Sequence, residues 1–137
     1  MTRLSFDKEA GIDLPAGALN GHLAGLGLRA EDLDASFDAL NGVVSVRGCA
    51  PSQDMRERIV LCCGNVRGVA AVDDRMTVVM PSEVSRWRFV QPGETLARIA
   101  LDLYRDASRA QHLRAANQPL IGDADTLAAG WLLRVPV

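Results

Sequence analysis

The chain has 137 residues, 48% hydrophobic and 23% charged, a balance that excludes a disordered or low-complexity protein. Its net charge of −2 lacks the basic excess that nucleic-acid binding calls for. No apolar run approaches the roughly 20 residues that span a bilayer, so neither nucleic acid nor a membrane span is expected.

The N-terminus, MTRLSFDKEAGIDL, carries charges at Arg3, Asp7, Lys8, Glu9 and Asp13 and shows no apolar core of a secretory signal. Next, LPAGALNGHLAGLGL (14–28) sets Leu19, Leu23 and Leu26 on one helix face, although four glycines weaken that helix. Two alternating runs follow, DASFDAL (34–40) and VVSVRG (43–48), around Asn41-Gly42, a hairpin signal. Ser52 is placed to cap a helix, with Asp54 in its first turn. Met55, Ile59, Cys62 and Cys63 face a core, and Gly64 stops the helix. VAAVDDRMTVVM (69–80) reads as a last strand. The predicted order is αββαβ.

Pro81 and Ser82 close that run, and MPSEVSR leads into a second unit. Residues 1–80 and 87–137 therefore read as two small domains joined by a linker at 81–86. In the second, Trp87 and Phe89 form a strand, and Gln91 to Gly93 a turn. Leu96, Ile99, Ala100, Leu103 and Tyr104 hold helical spacing without a miss. Asp106 or Ser108 caps a second helix, through Ala110, Leu113 and Ala116, that ends near Asn117 before Pro119. GWLLRVPV (130–137) is a terminal strand. The order is βααβ, and the overall class is α+β.

Spacing alone supports little chemistry. Asp73, Asp74 and Asp54 offer carboxylates for a divalent ion, but no EF-hand spacing surrounds them, and a solvated strand end explains them better. Cys49, Cys62 and Cys63 form no C-x-x-C, and His22 and His112 lie in different halves, so buried core thiols are expected. The odd cysteine count and adjacent pair argue against disulfides and predict a reducing compartment. Neither a phosphate loop nor a Ser-His-Asp pattern is present, and no enzyme is expected.

Three stretches carry resemblances. FVQPGETL, the apolar helix to Tyr104, Asn117 and LLRVP together resemble a LysM module. It departs in three places: Glu94 stands for the usual Asp, which implies a poorer helix cap; Arg105 stands where Gly often follows the Tyr; and Ala129-Gly130-Trp131 replaces Pro-Gly-Gln. GVVSVRG, the helix after it and GNVRGVAAVDDRMTV (64–78) resemble a BON domain. The two in this order, preceded by FDKEAG (Phe6 to Gly11), resemble the cytoplasmic potassium-binding protein family of bacteria.

That resemblance implies a non-enzymatic, monomeric cytoplasmic protein that binds K+, senses it and compacts around it. Potassium is large and weakly hydrated, so a site for it is built from several main-chain oxygens. The helix end and Gly-bracketed loop from Cys62 to Gly68 offer such oxygens, although Gly64 and Gly68 also read simply as a cap and a turn. Carried over by position, the ligands are the carbonyls of Asp7, Ala10, Gly64 and Val66, with Asp7 and Glu9 adding negative potential. The alternative implied by the LysM resemblance is an envelope protein that binds peptidoglycan. It would use the turn Gly93, Glu94, Thr95, Leu96 and the loop at Leu120 and Ile121. Against it stands the expectation that Leu120, Ile121 and Trp131 bury on the first domain.

Overall fold

The computed structural model describes residues 2–5, 11–15, 17–121 and 127–136. In chain order the elements are β1 Thr2–Ser5, α1 Leu19–Gly25, β2 Glu31–Asp38, β3 Val43–Ser52, α2 Gln53–Gly64, β4 Ala71–Asp74, β5 Thr77–Met80, β6 Arg86–Phe89, α3 Leu96–Tyr104, α4 Ala110–Ala116 and β7 Leu132–Val135. A 3-10 turn, Ala107–Arg109, precedes α4. The chain is a mixed α and β protein, and β1 is a strand the alternation had not signalled.

β3 is the centre of the larger sheet. β2 pairs with it antiparallel, while β4 and then β5 run parallel along its other edge. A parallel pair needs a crossover, and α2 supplies it. β1 adds to the far side of β4, antiparallel. Val44 and Val46 from β3, Ile59, Cys62 and Cys63 from α2, Leu19 and Leu23 from α1 and Val72 from β4 close one core. β6 and β7 form a separate two-stranded antiparallel ribbon. Val90, Leu96, Ile99, Ala100, Leu113, Ile121 and Leu133 form a second core beside it.

Local chemistry corrects several expectations. The helix expected over 14–28 is confined to 19–25. Upstream the chain turns, with Ala18 N–H bonded to the Pro15 carbonyl at 3.1 Å. Downstream Gly27 takes φ +80 and its N–H bonds Ala24 at 3.0 Å, while Leu28 N–H bonds Leu23 at 3.2 Å. That is a Schellman stop, sealed by the buried pair Leu23 and Leu28. The hairpin forms, but its loop is Ala39 to Gly42, and Leu40, expected in a strand, is 98% exposed. Asp38 sets that loop: its Oδ1 accepts from the N–H groups of Leu40 (3.1 Å) and Asn41 (3.3 Å). The run 69–80 is two strands, because Arg75 N–H turns to Val46 O (2.8 Å) and Met76 N–H to Asp74 Oδ1 (2.9 Å).

α2 starts as expected, with Ser52 Oγ accepting from Met55 N–H at 3.1 Å. Its stop is Asn65 rather than Gly64, which is the last helical residue. In the second half, Thr95 caps α3 by accepting from Arg98 N–H at 3.2 Å. Glu94 instead pairs with Arg88 and accepts from Gln91 N–H (2.7 Å), so its departure from Asp leaves the helix capped. Asp106 caps the 3-10 turn rather than α4. Leu120, Ile121 and Trp131 pack in the second half's own core; the second-half aromatic residue that packs on the first core is Trp87. Among the described residues, no helix is long and apolar enough to cross a membrane.

Candidate functional site

Two of the four expected ligand residues, Asp7 and Ala10, lie outside the described residues. The other two are buried at the end of α2: Gly64 closes the helix, and Val66 packs into the first core. The carbonyls of a helix's last turn have no partner within the helix, and they sit at the negative end of its dipole. Val66 O accepts from Val69 N–H at 3.2 Å in the turn that follows. The segment just after the expected N-terminal ligands docks on this loop. Ile12 N–H donates to Asn65 O at 2.8 Å, and Arg67 N–H donates to Ile12 O at 2.9 Å, a parallel bridge centred on Ile12 and Val66. Gly11 makes the approach with φ +133, and a Cβ there would lie 2.5 Å from Asn65 O. Only glycine fits that position.

Asn65, which capping chemistry marks only as a helix-end residue, does more. Its side-chain Nδ2 donates to Leu61 O and to Leu132 O, both at 2.9 Å, and its Oδ1 accepts from Leu132 N–H at 2.9 Å. The amide thus acts as a short strand against β7. Asn117 repeats the device at the end of α4: Nδ2 donates to Leu113 O and Arg134 O at 2.8 Å, and Oδ1 accepts from Arg134 N–H at 2.7 Å. Both asparagines are fully buried and serve the β7 edge that faces away from β6. Around them, α2 presents a polar stripe to the second half. Glu57 accepts from Arg134 Nε (2.9 Å), Ser85 Oγ (2.7 Å), Ser85 N–H (2.9 Å) and Gln53 Nε2 (3.0 Å). Asp54 bridges Arg58 (2.8 Å) and Arg134 (2.7 Å). Arg58 Nη1 donates to the carbonyls of Ala115 (2.9 Å) and Gln118 (2.6 Å) at the end of α4.

Residues 17–80, which hold α1 to β5, match the BON domain. A potassium binding protein, Kbp, of Escherichia coli O6:H1 is 32% identical to the chain over 96 residues. The match takes in 70% of this chain, and the chain spans 64% of the relative's length. The loop that receives Ile12 thus lies within the stretch that matches the BON domain, and the docked residue comes from just ahead of it.

The other candidates separate cleanly. Asp73 pairs with Arg75 at 3.0 Å, Asp74 with Arg56 at 2.8 Å, and Asp54 with two arginines; Asp73 and Asp74 are buried ion-pair partners and not the solvated strand end expected. Among the described residues no group of His, Cys, Asp and Glu is placed to hold a metal ion. Burial pushes the Cys62 thiol up to about 12 and raises Cys63 as well, so neither is a thiolate at neutral pH. In the second half, Leu96 and Ile121 meet in the core and Leu120 is half-buried against it. Of the residues expected to grip a glycan, Glu94 is tied to Arg88, Thr95 caps α3, and Gly93 stands on open surface.

Proposed function

We propose that this protein binds potassium as cargo, in a cage of main-chain oxygens between the N-terminal arm and the loop that ends α2. The reading is carried by the docking of Gly11 and Ile12, which directly follow Ala10 in the chain, on the loop from Asn65 to Arg67. Similarity to a potassium binding protein supports it. The proposed ligands are the carbonyls of Asp7, Ala10, Gly64 and Val66. Neutral oxygens suit a large monovalent cation, because they replace its water shell without imposing a geometry made for a divalent ion. The second half, ordered β6-α3-α4-β7, is taken as a LysM-like unit that serves as a structural partner here. The protein acts in the cytoplasm, without enzymatic activity, as a sensor: the ion ties the arm to the loop and favours the compact chain by mass action.

The test is a titration with potassium, sodium and lithium at constant ionic strength, followed by melting temperature. At about a hundredfold excess of potassium over its dissociation constant, stabilisation reaches about 2.7 kcal/mol. Equal responses to the three ions reject a selective site. Gly11→Ala forces the arm off Asn65 and is expected to abolish the potassium response while leaving a folded protein.

A further inference from the structure

The loop proposed for the ion is also the loop that holds the second half in place, and one residue serves both. The main-chain oxygen of Asn65 receives the arm through Ile12, and its side-chain amide receives β7 through both polar groups of Leu132. Asn65 is fully buried and lies between Gly64 and Val66, the two loop residues whose carbonyls are proposed as ligands. Its main chain cannot move to admit or release an ion without moving the amide on β7. Leu61 and Leu132, whose carbonyls both accept from the Asn65 amide, are themselves buried.

We infer that Asn65 is the joint through which ion occupancy and the seating of the second half control each other. The inference rests on the ion reading above and adds its regulation. Seating of β7 fixes the Asn65 backbone in the geometry that aims the neighbouring carbonyls, so it raises potassium affinity. By linkage, potassium must then tighten the seating by the same factor. The second half is thereby a control element of the site, acting on the Gly64–Gly68 loop through the hydrogen bonds of Asn65 to β7.

Two measurements on the full chain test this. The first is the potassium midpoint of Arg134→Met. This substitution keeps the side chain's apolar length and removes the links to Glu57 and Asp54, away from the loop. The coupling predicts a midpoint raised about fivefold or more. Ile59→Val, which loosens only the first core, is expected to lower the melting temperature and leave the midpoint in place. Asn65→Ala is expected to raise the midpoint further; should it fail to fold, Arg134→Met still decides. The second measurement is amide hydrogen exchange on β7. Leu132 N–H is held across the halves by Asn65, and Arg134 N–H within its own half by Asn117. Potassium is expected to slow exchange at Leu132 markedly more than at Arg134. An unchanged midpoint in Arg134→Met, or equal protection of the two amides, overturns the joint while the ion reading stands. No potassium response in the unaltered protein overturns both.

Discussion

Glu57→Gln is a nearly isosteric change at the most heavily bonded side chain of the seam. The carboxylate receives four hydrogen bonds, two on each oxygen, at 2.7 to 3.0 Å. An amide offers one oxygen for two of those donors and turns its own N–H groups on the other two. Losing two charge-assisted bonds at about 1.5 kcal/mol each gives about 3 kcal/mol. That is the low end for breaking a buried ion pair, as fits an Arg134 that keeps Asp54 at 2.7 Å. For a chain of 137 residues the loss lowers the melting temperature by about 10 °C. The pH dependence has a definite sign. Burial pushes the Glu57 carboxyl up, but the bonds from Ser85 and Gln53 and the charge of Arg134 outweigh it and hold the group below its ordinary value. Its stabilisation is therefore fully present above the unfolded carboxylate value of about 4.3 and is lost as pH falls through the lower folded one. Urea unfolding, followed by the fluorescence of Trp87 and Trp131 at steps of pH, reads the gap between the two proteins. A gap below about 1 kcal/mol at neutral pH, or one that widens in acid, refutes the seam as described.

Arg105 ends α3 at φ +58, a left-handed position that costs a side-chain-bearing residue energy, so Arg105→Gly is expected to raise stability by about 1 kcal/mol, read as a higher urea midpoint. Cys62 and Cys63 are expected to resist alkylation in the native protein at pH 8, whereas half-buried Cys49 reacts first; mass spectrometry of the labelled peptides checks the order.

The elements with long unbroken periodicity are legible in the sequence. α3 keeps its apolar spacing from Leu96 to Tyr104, and α2 runs from a Ser52 cap through Ile59, Cys62 and Cys63. What misled was local competition for the backbone, from two aspartate side chains and one left-handed glycine. Asp38 drew Leu40 into a turn, Asp74 split a run of alternating residues, and Gly27 ended α1 early. In the candidate site, the loop at Gly64 was legible as a helix end rich in glycine. The contact with Ile12 was not, because no local pattern reports which distant segment a carbonyl receives. The role of Asn65 was hidden for the same reason. An asparagine after a helix suggests a cap, and nothing near it in sequence points to Leu132, 67 residues on.

A two-stranded ribbon ordinarily offers an unpaired border to which a foreign strand can add. Here side-chain amides fill that border, one from the ribbon's own half and one lent by the first half. A cut at the exposed stretch Pro81 to Val84 would therefore do more than divide the chain. The released C-terminal piece would keep Asn117 and lose Asn65, Glu57 and Asp54 together, reopening β7 at Leu132 and stripping Arg134 of its countercharges. Proteolysis in that stretch would yield a fragment prone to self-association, so the solubility of the C-terminal half is a property of the intact chain.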